Sequence, residues 1–205
     1  MFAPEGYPFM AFFAALAVAA ALLLGGWPVL IPLLGLGFMM FFFRDPERTP
    51  PEEPGYLAPA DGKVIRAERV RAPEPLQGPE ALLISIFMSP LDVHVNRSPC
   101  AGVVQEVRRI PGGHHSAFTE EAFRGNECVL MLLGCSGAQV LLRQVAGSVA
   151  RRAVCRARPG EVLARGQRFG IIKFSSRVDV FLPPEAQALV QVGQRVLAGR
   201  SLIAR

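Results

Sequence analysis

A histidine between two other polar side chains provides the first candidate site in this sequence. In the run 89–96, alternation along an extended strand puts Asp92, His94 and Asn96 on one face and valines on the other. Three polar groups on one face are more typical of a polar site than of a single histidine satisfied inside a core. The pattern therefore predicts a polar site at His94.

Two adjacent serines, Ser175 and Ser176, provide the second candidate site. They interrupt two strand-like runs, 171–174 and 178–182. A hairpin or bulge with small polar residues is the ordinary explanation. A serine hydroxyl next to a base is also a nucleophile, so the pair could carry covalent chemistry.

Two shorter patches are less specific. Asp61 and Gly62 form a dipeptide that is common in turns between strands, so a structural role suffices for them. Asn126 and Glu127 precede an apolar strand, where they fit a loop end as well as a functional role.

The elements that must position these residues are mostly strands. Short apolar and β-branched runs, separated by Gly and Pro, occur at 63–65, 81–87, 128–133 and 139–145. Many short strands at close spacing predict a β-sandwich or barrel-like domain. One helix is expected at about 119–124 and a short one near 184–187.

The C-terminal part contains an internal repeat. Residues 159–172 and 192–203 each read Gly, a polar spacer, Val-Leu-Ala and a second Gly. The pattern resembles the hammerhead hairpins of biotinyl and lipoyl carrier domains. Neither copy has the lysine that those carriers modify, so the resemblance implies shared architecture and not shared chemistry.

The first 43 residues read as a membrane anchor. No charged residue occurs from Tyr7 to Phe43, and Gly25-Gly26-Trp27-Pro28 divides the stretch into two apolar runs. Each run spans roughly 22–26 Å as a helix, short of a ~30 Å hydrocarbon core. A helical hairpin and a re-entrant wedge both fit, and a buried core hairpin is the alternative without a membrane. Both membrane arrangements put the N-terminus and the domain on one side, and Arg44 and Arg48 predict that this side is cytoplasmic.

The remaining chain divides into a Pro-rich linker, 44–57, and a β-rich domain, 58–205. The 22 Lys and Arg residues all lie at or after Arg44, as do all of the 17 acidic residues except Glu5. This basic excess suits an anionic membrane surface. Nucleic acid is not favoured, because basic and aromatic residues are not interleaved.

The four cysteines suggest neither a metal site nor a disulfide framework. There is no CxxC pair and no histidine at zinc-finger spacing. We expect buried, reduced thiols, which is typical of a domain facing the cytosol. The four are Cys100, Cys128, Cys135 and Cys155.

Taken together, the patches 58–64, 87–99, 123–127 and 169–183 resemble the phosphatidylserine decarboxylase family, in its short bacterial and archaeal form. The resemblance runs from the membrane block nearly to the last residue. It implies a proenzyme that cuts itself before Ser176 and leaves a large chain, a small chain and a covalent pyruvoyl group in place of that serine. This group is the electron sink for decarboxylating phosphatidylserine to phosphatidylethanolamine, and no metal is implied.

The resemblance also assigns roles to residues. Asp61, His94 and Ser176 correspond to a catalytic triad, in which His94 takes the hydroxyl proton and Asp61 fixes its tautomer. His94 is also the candidate for protonating the carbon after CO₂ leaves. Asn96, Asn126 and Glu127 are expected to bind the substrate. The expected location is the cell membrane, and a homodimer is compatible with the sequence, which does not fix the oligomeric state.

The sequence departs from the family at two positions. Longer members have a second histidine where this chain has Arg97, so His94 serves both reactions or His115 takes one of them. The residue before the cleaving serine is usually Gly, and here it is Ser175. A side chain there restricts the backbone, so the chain either matures as a natural variant or is cleaved more slowly.

Three other functions are compatible with parts of the sequence. A non-enzymatic, membrane-tethered β-rich adaptor explains the hairpins but not the polar face around His94. A pyruvoyl-dependent decarboxylase of a soluble amino acid does not explain the membrane block. Archaetidylserine has the same headgroup as phosphatidylserine, so the sequence does not separate the two lipids.

Overall fold

The computed structural model of the protein describes residues 1–113, 125–135, 137–147, 153–173 and 176–205. These residues form two compact units, Met1–Glu47 and Arg48–Arg205. The boundary falls inside the predicted linker. The helix expected at 119–124, together with His115 and Ser175, lies outside the described residues.

The first unit is a helical hairpin, as predicted. Helix α1 (Tyr7–Leu23) is followed by a turn and by helix α2 (Leu30–Phe42). The turn contains Gly25 and Gly26 at φ +60° and +62°, a backbone conformation that favours glycine. The main-chain N–H of Asp45 donates to the carbonyl of Met1 (2.8 Å), so both ends of the unit lie together.

The two helices pack closely and are apolar. Gly35 of α2 lies against the ring of Phe13, where a Cβ atom would come within 2.4 Å of the ring. The helical stretch Pro4–Leu23, 20 residues with mean hydropathy 2.0, is long and apolar enough to cross a membrane, whereas Trp27–Phe42 is shorter.

The second unit is built of strands, which confirms the predicted β-rich class. Within the described residues there are thirteen strands: β1 (Tyr56–Leu57), β2 (Gly62–Arg71), β3 (Glu80–Met88), β4 (Val95–Arg97), β5 (Gly102–Ile110), β6 (Cys128–Cys135), β7 (Ala138–Ala146), β8 (Ala153–Cys155), β9 (Val162–Leu163), β10 (Arg168–Ile172), β11 (Ser176–Leu182), β12 (Arg195–Val196) and β13 (Leu202–Ala204).

The strands pair antiparallel in three sheets. The largest is a curled, half-barrel sheet of eight strands in the order β12-β2-β3-β11-β7-β6-β5-β9. A second sheet has the order β4-β10-β8, and β1 pairs with β13. The short helix expected near 184–187 is wrong. That segment is a turn in which the N–H of Ala186 donates to the carbonyl of Pro183 (3.0 Å).

Strand β11 lies in the middle of the large sheet and is buried along both faces. Its side chains alternate between two cores, as the pleat of a strand requires. Val178 and Val180 pack into the larger core with Ile86. Phe181 packs into the smaller core with Leu130. Ser176, which begins this strand, is therefore held in place by the packing of the strand against both cores.

The predicted C-terminal repeat is confirmed. Each copy consists of a turn, a two-residue strand, a second turn and another strand: β9 and β10 in the first copy, β12 and β13 in the second. The first turn has glycine at positive φ in both copies, Gly160 at +87° and Gly193 at +96°.

The repeat belongs to a larger duplication. The eight-stranded sheet reads β12-β2-β3-β11 from one edge and β9-β5-β6-β7 from the other. Strands β2 and β5 correspond, because each begins with a glycine and is bulged just after a valine, Val64 or Val104. The β1-β13 and β4-β10 pairs correspond in the same way.

The two halves are nested in the chain. The half from β4 to β10 is inserted between β3 and β11 of the other half. Reciprocal hydrogen bonds join them, from the N–H of Leu57 to the carbonyl of Pro99 and from the N–H of Arg97 to the carbonyl of Pro59, both 2.9 Å. Ser176 begins the strand with which the chain returns to the first half.

The expectation of four reduced cysteines is wrong for one pair. Cys100 and Cys135 form a disulfide, whereas Cys128 and Cys155 are free thiols. The pairing of β5 with β6 brings the two together, since Val103 lies opposite Gly134. Cysteine spacing could not reveal a contact that depends on strand register.

Candidate functional site

Ser176 is completely buried at the start of β11. Strand pairing puts it opposite Met88 of β3 on one side and Ala146 of β7 on the other. Its hydroxyl lies 3.5 Å from Sδ of Met88, a weak acceptor. The hydroxyl is thus held inside the protein without a strong hydrogen bond to that sulfur.

His94 is also completely buried. Its Nδ1 lies 2.9 Å from the main-chain carbonyl oxygen of Asp92. A carbonyl oxygen only accepts, so this contact places the ring hydrogen on Nδ1 and leaves Nε2 as the basic nitrogen of the neutral ring. His94 therefore has the tautomer that a general base requires.

The single polar face expected for the run 89–96 is partly wrong. Only Val95–Arg97 is strand, and Asp92 lies in a turn before it. One oxygen of Asp92 accepts hydrogen bonds from the N–H and the hydroxyl of Ser89 (2.8 and 2.7 Å), and the other pairs with Arg195. A Ser-Pro-Leu-Asp segment favours such a turn, because the aspartate side chain bonds nearby main-chain N–H groups.

Asn96 links the short sheet to the Ser176 region. Its Oδ1 accepts a hydrogen bond from Nε2 of Gln144 (2.8 Å), and its Nδ2 lies 3.8 Å from Sδ of Met88. Asn96 and Ser176 therefore contact the same sulfur atom. His94 lies two residues before Asn96, at the entry to β4.

Sequence reasoning missed Met88 and Gln144. The only signal for Gln144 is the interruption of an apolar strand by two consecutive polar residues, Arg143 and Gln144. Met88 gives none, since a methionine at the end of a buried strand is ordinary core.

Asp61 is buried in an ion pair. Arg48 donates two hydrogen bonds to its carboxylate (2.5 and 2.7 Å), and the N–H of Ala198 donates a third (2.7 Å). Arg48 also donates to the carbonyl of Ala198 (2.8 Å). These contacts tie the linker, the Asp61 turn and the second hairpin together. The triad in which Asp61 acts on His94 stays a prediction, since the His94 tautomer is selected by the Asp92 carbonyl.

Asn126 lies next to the Ser176 strand, and the side chain of Glu127 is largely buried, at 13% exposed. The Nδ2 of Asn126 donates to the carbonyl of Ala146 (2.7 Å), the residue paired with Ser176. The carboxylate of Glu127 pairs instead with Arg109 at 2.5 Å. Of the two, the structure brings Asn126 close to the candidate centre.

Arg97, at the position of the second family histidine, serves the fold. Its side chain is buried, and one of its nitrogens lies 3.2 Å from the carbonyl of Gly166. A Cβ atom on Gly199 would come within 2.8 Å of Cδ of Arg97, so the arginine packs directly against this glycine. Arg97 therefore contacts the second turn of each copy of the C-terminal repeat.

A buried ion cluster lies on the opposite face of β11. Asp179 accepts two hydrogen bonds from Arg143 (2.9 and 2.8 Å), and its other oxygen lies 2.9 Å from Nε of Arg177. Burial lowers the pKa of Arg177, and the charge of Asp179 acts against that shift. The cluster fixes the strand directly after Ser176.

A cavity of about 180 Å³ opens on the same face. Arg143, Asn126 and Glu74 contribute polar side chains to its wall, and the rest is largely apolar. The apolar lining is formed by Ile110, Leu130, Leu141, Val145 and Phe181. An apolar cavity with few polar groups is typical of a small-molecule site.

The fold and site define a β-rich unit with a buried polar centre, preceded in the chain by an apolar helical hairpin. A family model described as phosphatidylserine decarboxylase matches residues 36–204. The chain belongs to this family and is a decarboxylase.

Curated relatives cover nearly the whole chain. A phosphatidylserine decarboxylase proenzyme of Pelobacter propionicus is 46% identical, with 98% of this chain and 94% of the relative aligned. One from Symbiobacterium thermophilum is 45% identical, over 99% of this chain and 94% of the relative. One from Pelodictyon phaeoclathratiforme is 42% identical over the full length of both.

Proposed function

We propose that this chain is a proenzyme that cleaves itself between Ser175 and Ser176 and then decarboxylates phosphatidylserine to phosphatidylethanolamine. The observation that carries the proposal is the buried Ser176 hydroxyl, which shares a contact atom with Asn96 beside the buried base His94. The substrate and the proenzyme character are those of the relatives, which are phosphatidylserine decarboxylase proenzymes.

Self-cleavage begins with the Ser176 hydroxyl. Nε2 of His94 takes its proton, and Oγ bonds to the carbonyl carbon of residue 175. The peptide C–N bond breaks, the nitrogen takes a proton, and an ester joins the two serines. Loss of the α-hydrogen of residue 176 then expels Ser175 as a carboxylate and leaves a dehydroalanine. Water converts that end to a ketone and releases ammonia.

The surroundings of Ser176 fit a pyruvoyl group. The group keeps Cα and Cβ of the serine, loses Oγ and has a ketone oxygen in place of the nitrogen, so it occupies no more space than the buried residue between Met88 and Ala146. It would supply an electron sink for the pair left behind by CO₂. His94 would return a proton to that carbon.

Both chains would stay together after cleavage. The small chain, 176–205, supplies β11, β12 and β13. Each of them pairs with strands of the large chain, and β11 is paired on both edges. A homodimer remains an expectation.

The cavity behind β11 is the proposed entrance for the lipid headgroup. Asn126 lines it and also bonds Ala146 beside Ser176. Arg143 lines it as well, with its guanidinium paired to Asp179. Glu127, whose carboxylate already pairs with Arg109, is the weaker candidate. Archaetidylserine carries the same headgroup and stays open as a substrate.

We also propose that residues 1–43 anchor the protein in the cell membrane, with the catalytic unit on the cytoplasmic side. The apolar hairpin and the basic residues after it support this location. A membrane anchor suits a lipid substrate, because the acyl chains stay in the bilayer.

The test compares Ser176→Ala with Ser85→Ala, which removes a buried hydroxyl on the neighbouring strand β3. Denaturing gels should show two chains for the wild type and Ser85→Ala, and one chain for Ser176→Ala. Wild-type protein should release CO₂ from phosphatidylserine. Release of the amine instead, or an uncleaved wild-type chain that is active, would contradict the proposal.

A further inference from the structure

A buried glutamine orients the amide of Asn96, which shares with Ser176 the contact to Sδ of Met88. Gln144 of β7 is 1% exposed, and its Nε2 donates to Oδ1 of Asn96 (2.8 Å). Its own Oε1 has no hydrogen-bond partner among the described residues. A buried amide with an unused acceptor lowers stability compared with an apolar side chain. Stability of the fold therefore does not account for Gln144, and a role at the site does.

The orientation of Asn96 depends on this contact. An asparagine amide has an oxygen that accepts and an NH₂ group that donates, and rotating its last torsion exchanges the two. Because Nε2 of Gln144 is a donor, it selects the rotamer whose oxygen faces Gln144. The NH₂ group then faces Sδ of Met88, the atom that the Ser176 hydroxyl also contacts.

The Asn96 NH₂ group points at a weak acceptor and is oriented to donate to a stronger one. A thioether sulfur at 3.8 Å is a poor partner for an amide N–H. An oxygen that gains negative charge is a much stronger one, and preoriented donors of this kind stabilise the transition states of acyl transfer. The addition of the Ser176 hydroxyl to the preceding carbonyl creates such an oxygen.

We propose that Asn96 is the oxyanion donor for self-cleavage and that Gln144 is the positioning residue that orients it. This inference rests on the proposed function and assigns two side chains to its first step. Gln144 acts only through Asn96, so the two must be coupled energetically.

A double-mutant cycle on the full-length chain tests this coupling. The variants are Asn96→Ala, Gln144→Met and the pair, with Gln139→Met as control for an amide lost elsewhere on β7. Pulse–chase labelling followed by a denaturing gel gives the rate at which the small chain appears. Thermal unfolding of each uncleaved variant in a Ser176→Ala background gives its stability.

Asn96→Ala should slow cleavage by about 10²–10³-fold. Gln144→Met should slow it by about 10- to 100-fold through misplacement of the donor, without lowering the unfolding midpoint. The double variant should cleave as slowly as Asn96→Ala alone, and Gln139→Met should behave like the wild type.

Two results would overturn the inference. One is that Gln144→Met slows cleavage by the same factor whether residue 96 is asparagine or alanine. The other is normal cleavage in Gln144→Met or Asn96→Ala. In both cases a wild-type chain that still cleaves at Ser176 leaves the proposed function intact, whereas a wild type that never cleaves removes both.

Discussion

The side-chain amide of Asn96 and the hydroxyl of Ser176 meet at one atom, Sδ of Met88, at 3.8 and 3.5 Å. Asn96 belongs to the three-stranded sheet and Ser176 to the eight-stranded sheet. The centre is thus assembled where the inserted half of the duplication meets the strand that returns the chain to the first half. This placement explains how a buried serine comes to lie among polar groups from distant parts of the chain.

His94 should be essential for self-cleavage. His94→Ala removes the buried base, whose proton-accepting nitrogen is defined by the contact between Nδ1 and the Asp92 carbonyl. General bases contribute about 10²–10⁴-fold, so the small chain should appear at least ~100-fold more slowly. The measurement is pulse–chase labelling, with His115→Ala as the matched variant. Loss of cleavage in His115→Ala together with normal cleavage in His94→Ala would reverse the assignment.

Arg48 should be essential for stability. Its side chain and that of Asp61 are 8% and 6% exposed, so Arg48→Ala leaves a buried carboxylate without its cation. Breaking such a pair costs about 3–5 kcal/mol. The control is Arg66→Ala, which removes an exposed pair with Glu68 and should cost less than about 1 kcal/mol.

Urea unfolding of the full chain in detergent, in a Ser176→Ala background, gives both free energies for the Arg48 and Arg66 variants. Equal losses in the two would show that the buried contact is not special.

Cys155 should react slowly with alkylating reagents at neutral pH. Burial raises the pKa of its thiol to about 11, and only the thiolate is a good nucleophile. In a Cys128→Ala variant, iodoacetamide at pH 8 should modify it on the order of 100-fold more slowly than a free cysteine. The rate should rise until the pH reaches about 11. A rate that levels off near pH 9 would contradict the shift.

The same pKa shift predicts a change of stability with pH. Between the ordinary thiol value of 9.0 and about 11, folded Cys155 keeps its proton while the unfolded chain loses it. The free energy of unfolding therefore falls as the pH rises through this window. Cys155→Ala should show a smaller fall across the same range.

A larger side chain at the mouth of the cavity should hinder the lipid and spare self-cleavage. Ile110 lines the cavity and is 37% exposed, so Ile110→Trp fills its entrance without crowding the core. Relative to wild type, kcat/KM for phosphatidylserine should fall by about 10-fold or more, with an unchanged yield of the small chain. Val103→Trp, also exposed on β5, is the control. Similar losses in both variants would argue against this entrance.

Sequence reasoning reached the parts of the molecule that are encoded locally. Alternating apolar runs indicated the strands, Gly25-Gly26 indicated the turn between the helices, and the paired glycines indicated the hairpin repeat. His94 and Asn96 could be singled out because they alternate with valines, whereas Ser176 was assigned through the family resemblance.

The remaining contacts depend on strand register, which no local pattern contains. The Arg48–Asp61 pair and the Cys100–Cys135 disulfide join positions that only the folded sheets bring together. The proposed role of Gln144 depends on its hydrogen bond to Asn96, which joins β7 to β4. The turn at Asp92 replaced the predicted strand, because its side chain bonds the Ser89 N–H more favourably than a sheet position would allow.

The most direct test of the account is intact-mass spectrometry of the purified, active protein. The account predicts two chains, Met1–Ser175 and a chain of residues 176–205 that is lighter by one ammonia than the same sequence with an N-terminal serine. A single unbroken chain that releases CO₂ from phosphatidylserine would contradict it, and so would an active small chain that still begins with serine.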